Sequence, residues 1–222
     1  EQGMESNTKR VLLIRHGHST FNDWRERTLR NCTCLWAKWS DHDAPLTPKG
    51  RRQAAVLRDE VRERKLDMQV QLVVTSPLTR AIDTALASFR ASEQELSDPT
   101  QAAGPPLLAL ALAAERLDTA CDIGRPRSVL EKRYPDVDFS QVSEHWWYGG
   151  EDNCPEPGER HQREPWAACE RRIAELEQWL QRRPERCIAV VGHSSFFKAM
   201  TGARSKLKNC EIHEVERSFT PD

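Results

Sequence analysis

The sequence has no apolar run approaching the roughly 20 residues needed to cross a bilayer. Its opening, EQGMESNTKR, lacks the apolar centre of a secretion signal. No membrane association and a cytoplasmic location are therefore expected. Charge excess is also missing: 33 Lys and Arg stand against 34 Asp and Glu, a formal net charge of -1. No overall field then recruits nucleic acid or an anionic membrane, although a local cationic pocket is compatible with that balance. The 7 cysteines are odd in number and scattered, which argues against a full disulfide framework and fits a reducing compartment. Cys32 and Cys34, with His42 nearby, read as ordinary thiols, because C-x-C lacks the two-residue spacer of common zinc sites and no second pair completes it.

What is present suits one α/β domain spanning 1–222, a length able to bury a sizeable core. Three short aliphatic runs, RVLLI at 10–14, VQLVVT at 70–75 and CIAVV at 187–191, have the composition of strands buried on both faces of a parallel sheet. Each ends in a polar cluster: Arg15-His16-Gly17, Ser76-Pro77 and Gly192-His193-Ser194. Helical patterns lie between them. One starts at Thr47 and Pro48 and spaces Ala54, Leu57 and Val61 on one face. Another is expected to open at Ser76-Pro77, and a third runs from Pro165 to just before Pro184 with Ile173, Leu176, Trp179 and Leu180 as its stripe. Strands alternating with helices predict a three-layer α/β sandwich around a mainly parallel sheet, with its site beyond the carboxyl ends of the strands. In that setting VLLI is a rigid support for Arg15 and His16, and Gly17 permits either a tight turn or the close approach of an anion.

Five segments in order, LIRHGHSTFN, DAPLTPKGRRQA at 43–54, TSPLTRAIDTA at 75–85, the glutamate of AAERLD, and VVGHSSF around His193, resemble the histidine phosphatase superfamily, in its phosphoglycerate mutase-like branch. The resemblance spans most of the chain and implies that His16 becomes phosphorylated, that Glu115 is the proton donor, and that Asn22 helps hold phosphate oxygens. The chemistry agrees. Phosphoryl transfer needs an in-line nucleophile and cations around the equatorial oxygens. His16 supplies a neutral imidazole nitrogen, which flanking arginines keep unprotonated near neutrality. Arg15 and Arg80 supply permanently charged planar forks, and His193 a further donor. Gly17 and Ser194 complete the expected substrate contacts, with turn capping the competing role for Ser194 and for Ser19. Glu115 competes with Asp118 and Asp122, because LLALALAAERL has helix-favouring composition where the family has a short strand and loop. His18 is assigned a peripheral role.

Departures from relatives shape the expected activity. Counterparts of the bisphosphate-retaining segments of the glycolytic mutases are not found, and Ser19 and His193-Ser194 replace the R-x-P and His-Asp of the acid phosphatase branch. The expectation is a phosphomonoester hydrolase without metal or other cofactor, acting on a small phosphorylated substrate. The alternatives are a phosphoglycerate-type mutase and a catalytically idle relative that binds phosphorylated ligands or partners. Residues 119–163, rich in Pro, Gly and charge, read as a lid or specificity insertion. Within it Arg125 and Arg127 could meet a second acidic group, and Trp146 and Trp147 could wall an organic moiety. Ion pairing for the arginines and core anchoring for the tryptophans are favoured instead.

Overall fold

In the first strand, β1 (Asn7–Arg15), successive apolar side chains belong to two different cores. Leu12 and Ile14 pack on one face, Val11 and Leu13 on the other, and all four are fully buried. A strand covered on both faces has no polar side to show, which is why VLLI reads as an unbroken apolar run. The computed structural model describes residues 7–31, 39–90, 104–149 and 163–219; Cys32 and Cys34 lie outside them.

After β1 come α1 (Thr20–Arg30), α2 (Pro48–Glu63), the single turn α3 (Leu66–Gln69), β2 (Leu72–Thr75), α4 (Thr79–Phe89), β3 (Leu107–Ala109), α5 (Arg127–Arg133), α6 (Trp166–Arg182), β4 (Cys187–Gly192), α7 (Ser194–Thr201) and β5 (Ile212–Phe219). The sheet order is β3-β2-β4-β1-β5, parallel except for β5, which runs antiparallel to β1. On one face, α2 contributes Leu57 and Val61, and α4 contributes Ala81, Ile82, Ala85 and Phe89. On the other, α6 contributes Cys169, Leu176 and Leu180, and α7 contributes Phe196, Phe197 and Met200. This is the three-layer sandwich expected. Each fully buried Leu, Ile or Phe of these faces contributes about 1.5–3 kcal/mol.

Thr47 caps α2 through its hydroxyl, which accepts from the Gly50 amide at 3.1 Å, and Pro48 follows in the first turn. The helix expected at Ser76-Pro77 begins later, at Thr79, because Ser76 Oγ is occupied by the Leu78 amide and by His193. The run 107–117 is not helical despite its composition. Leu107–Ala109 pairs in parallel with Val73–Thr75, and a 3-10 turn at Ala111–Ala113 follows, so sheet pairing overrides a weak propensity.

Candidate active site

Sheet register brings the two histidines together. Arg15 pairs with Gly192 across β1 and β4, so the next residue on each strand, His16 and His193, emerges at the same sheet edge. Their ring centroids are 5.1 Å apart, and both are buried. Thr75 pairs with Val191 on the other side of β4, which sets Ser76 against His193, and Arg80 lies one turn further along, in α4.

Hydrogen bonds fix which imidazole nitrogen does what. His16 Nδ1 lies 2.6 Å from the Gly17 carbonyl, which only accepts, so Nδ1 carries the proton and Nε2 the lone pair. His193 Nε2 lies 2.8 Å from Ser76 Oγ, and the Leu78 amide donates to that same oxygen at 3.3 Å. His193 Nδ1 is buried without a partner, and so is the Arg15 Nε donor. Buried donors of this kind cost free energy unless an acceptor meets them, and a phosphoryl oxygen is such an acceptor.

The two guanidinium groups are held from behind. Arg15 Nη1 donates to the Leu207 carbonyl at 2.7 Å. Arg80 donates to the Cys121 carbonyl at 2.7 Å and to Asp122 Oδ1 at 2.9 Å, both side chains of this ion pair being almost fully buried. Burial disfavours the Arg80 charge, yet Asp122 and the other acidic groups around it hold its pKa above the ordinary arginine value. Burial, then Arg80 and Arg15, push the His16 pKa well below 6.5. Burial, then Arg80 and His16, do the same to His193. Both rings are therefore neutral at neutral pH.

Three carboxylates, Glu115, Asp118 and Asp122, line the same cleft, of about 430 Å³. Asp122 is bound to Arg80 and accepts from the Asp118 and Thr119 amides. Asp118, half exposed, pairs with Arg116 at 2.8 Å and Arg163 at 3.3 Å. Glu115 reaches the amino end of α7, accepting from Phe196 at 3.0 Å and Ser195 at 3.3 Å, and from its neighbour Arg116 at 3.0 Å. Burial, reinforced by the Asp122 charge, raises its pKa above the usual carboxylate value despite these amides.

Other predicted residues are placed differently. The Gly17 amide donates to Thr84 Oγ1 at 3.0 Å, and a Cβ there would stand 2.7 Å from the Gly50 carbonyl. Its lack of a side chain admits the α2 backbone. Asn22 lines the cleft, but its Oδ1 accepts from the Ser19 amide at 3.1 Å within the α1 capping box. Ser194 stands at the cleft wall as the first residue of α7, and Ser19 caps α1. His18 is buried away from the cleft, between Thr47 Oγ1 at 2.9 Å and Glu26 at 3.2 Å. Trp146 is packed in the core with its Nε1 donating to the Arg125 carbonyl, Arg125 faces Asp43, and Arg127 faces Glu131 and Glu144. Residues 119–149 of the presumed insertion are described, and Thr119, Cys121 and Asp122 among them line the cleft. Sequence reasoning took Ser76 for a helix opener and passed over Arg25 and Lys206, which also line the cleft. The one available signal was Ser76 ending an apolar run, the same signal that marked His16 and His193.

One imidazole of the facing pair, two anchored guanidinium groups and the half-buried Glu115 carboxyl share one strand-end cleft, an arrangement whose charges suit a phosphate group. The profile of the histidine phosphatase superfamily (branch 1) matches residues 11–98. The chain is 30% identical over 240 residues to a phosphoglycerate mutase-like protein of Arabidopsis thaliana, covering 93% of this chain and 83% of that one. It is 23% identical over 213 residues to a "Probable phosphatase" of Schizosaccharomyces pombe, covering 96% and 87%. Among solved structures, the product of an open reading frame of Mycobacterium tuberculosis shares the fold, with a TM-score of 0.52, 20% identity and 96% of each chain covered. The chain belongs to the histidine phosphatase superfamily, and its chemistry is of the phosphatase or phosphomutase type. No helix among the described residues is long and apolar enough to cross a membrane.

Proposed function

We propose that the protein hydrolyses phosphomonoesters through a phosphohistidine at His16, without a metal ion. His16 Nε2 attacks phosphorus, the P–O bond to the alcohol breaks, and Glu115 gives its proton to the departing oxygen. Arg15, Arg80 and His193 hold the equatorial oxygens through this step. The Glu115 carboxylate then takes a proton from water, whose oxygen attacks phosphorus and breaks the N–P bond. Inorganic phosphate leaves, with His16 neutral and Glu115 protonated again. The observation that carries this reading is the tautomer of His16 set by the Gly17 carbonyl, which leaves the Nε2 lone pair unused on a ring that lines the cleft with Arg15 and Arg80 and faces the His193 ring. Arginines in this arrangement supply the charge that a metal ion supplies elsewhere. The carboxylates of the cleft are engaged by Arg80, Arg116 and backbone amides. A catalytically idle binder would have no use for a neutral nucleophile beside a carboxyl with a raised pKa.

The test is release of phosphate from 4-nitrophenyl phosphate by the wild type in the presence of a chelator, and its loss in His16→Ala. Turnover surviving that substitution, or lost to the chelator, refutes the reading. On this reading residues 1–222 act as one domain, and the segment 119–163 contributes to substrate choice through Thr119, Cys121 and Asp122.

A further inference from the structure

An arginine stands on the buried stripe of α6, where Cys169, Leu176 and Leu180 are apolar and fully buried. The side chain of Arg172 is 17% exposed and that of Glu164, its ion-pair partner at 2.8 Å, 3%. Replacing a pair buried this far by well-packed apolar residues is often neutral or better for stability, so stability alone does not account for it. Substrate contact does not account for it either. Arg172 lines a neighbouring cavity of about 320 Å³ behind the loop that bears Glu115, and not the cleft lined by His16, Arg15 and Arg80.

What the guanidinium holds is that loop. Its five N–H donors meet five oxygens. Nε and Nη2 donate to the two carboxylate oxygens of Glu164, at 3.0 and 2.8 Å. Nη1 donates to the carbonyls of Leu112 at 3.0 Å and Ala114 at 2.7 Å, and Nη2 also reaches the Glu115 carbonyl at 3.4 Å. Glu164 holds the chain on the far side of Glu115: its Oε2 accepts from the Leu117 amide at 3.2 Å, and its own amide donates to the Leu117 carbonyl at 2.8 Å. Regular structure between β3 and Leu117 is limited to the 3-10 turn at Ala111–Ala113, so these carbonyls take their donors from Arg172. The same guanidinium lies 5.0 Å from the centre of the Phe196 ring, and the Phe196 amide donates to the Glu115 carboxylate. One side chain thus grips both the backbone on which Glu115 stands and the residue that receives its carboxylate.

We propose that Arg172, braced by Glu164, is the positioning residue for Glu115, fixing the loop so that the carboxyl meets the oxygen of the departing alcohol. Arg172 itself acts only through Glu115. This rests on the hydrolase reading above, in which Glu115 protonates the leaving group. A lysine ammonium carries three donors at one point, so it can pair with Glu164 but cannot span the three carbonyls as well. The loop needs the shape of the fork, not its charge alone.

The experiment measures kcat/KM for butyl phosphate, whose leaving group needs a proton, and for 4-nitrophenyl phosphate, whose leaving group does not, in Arg172→Gln and Arg172→Lys, each with and without Glu115→Gln. Misplacing a reacting group by about 1 Å costs about 10²-fold, so each single variant is expected to lose about that on butyl phosphate and to keep most of its turnover of the aryl ester. In the Glu115→Gln background the same substitutions are expected to affect both esters alike, because the acid they position is gone. A partly unfolded protein loses both activities equally and does not produce that pattern. Where circular dichroism shows Arg172→Gln unfolded, Arg172→Lys, which keeps the ion pair, carries the comparison. Equal losses on the two esters, no loss on either, or an undiminished extra loss on butyl phosphate in the Glu115→Gln background overturns the positioning role and leaves the hydrolase standing. A wild type that hydrolyses neither ester overturns the hydrolase reading itself.

Discussion

Replacing Glu115 by Gln separates proton donation from everything else the side chain does. Gln keeps the shape, and its oxygen can keep accepting from Phe196 and Arg116, which share Glu115 Oε1. Its amide nitrogen must then face the Ser195 amide that now donates to Oε2 at 3.3 Å. Losing that one acceptor costs about 1 kcal/mol of stability, which leaves the protein folded. The chemical loss is larger and depends on the leaving group. An alkoxide needs its proton in the transition state, and a positioned acid contributes about 10²–10⁴-fold; nitrophenolate departs without one. We therefore expect kcat/KM for an alkyl phosphate to fall by about 10²–10⁴-fold, with 4-nitrophenyl phosphate largely spared. The pH profile supplies an independent check. His16 must be unprotonated, so the acid limb lies below its ordinary 6.5, and Glu115 must be protonated, so the alkaline limb lies above its ordinary 4.5. Glu115→Gln should abolish the alkaline limb and keep the acid one. Equal losses for both substrates, or an unchanged alkaline limb, would refute the assignment of Glu115 and return Asp122 to contention.

Further outcomes follow from the same contacts. Asp122→Asn leaves the buried Arg80 charge without its carboxylate and should cost on the order of 3 kcal/mol, lowering Tm by about 10 °C in a chain of this size; differential scanning calorimetry reads it. Ser76→Ala removes the hydroxyl that orders His193 Nε2. It should lower kcat by about tenfold, the worth of one buried hydrogen bond, and shift the His193 tautomer seen in the 15N spectrum, with Ser76→Thr restoring both. An unchanged tautomer would reduce Ser76 to packing. Acid stability tests the two histidines together. Their folded pKa values lie below the unfolded 6.5, so below that pH the unfolded chain binds more protons and stability is lost as pH falls toward the folded values. Tm should decline below about pH 6.5, less steeply in His193→Gln; an equal decline would contradict the burial argument.

The parts of this molecule legible in its sequence are those where one physical demand dominates. β1 and β4 are buried on both faces, so composition alone marks them, and the polar residues that end them stand out against the apolar runs. The α2 start was legible because Thr47 and Pro48 satisfy its first turn locally. β3 was not, since its three residues take their state from pairing with β2 rather than from helix-favouring side chains. β5, suggested only by a short alternation, extends over eight residues because residues 7–14 of β1 offer a continuous partner. Gly17 was legible as a position needing no side chain, but not the neighbour that needs the space, the backbone of Gly50, because that contact is set by how α2 packs. Arg25 and Lys206 carried no signal, as exposed cations recur throughout the chain and only the folded cleft sets these two apart.

The central claim is that His16 Nε2 takes the phosphoryl group. Rapid mixing with an excess of 4-nitrophenyl phosphate, quenching in alkali and peptide mapping by mass spectrometry test it directly. One acid-labile phosphoryl group on the peptide containing His16, accumulating in Glu115→Gln if water attack is slowed and missing from His16→Ala, is the predicted result. Turnover with His16 never phosphorylated, or a phosphoryl group trapped on another side chain, would contradict it.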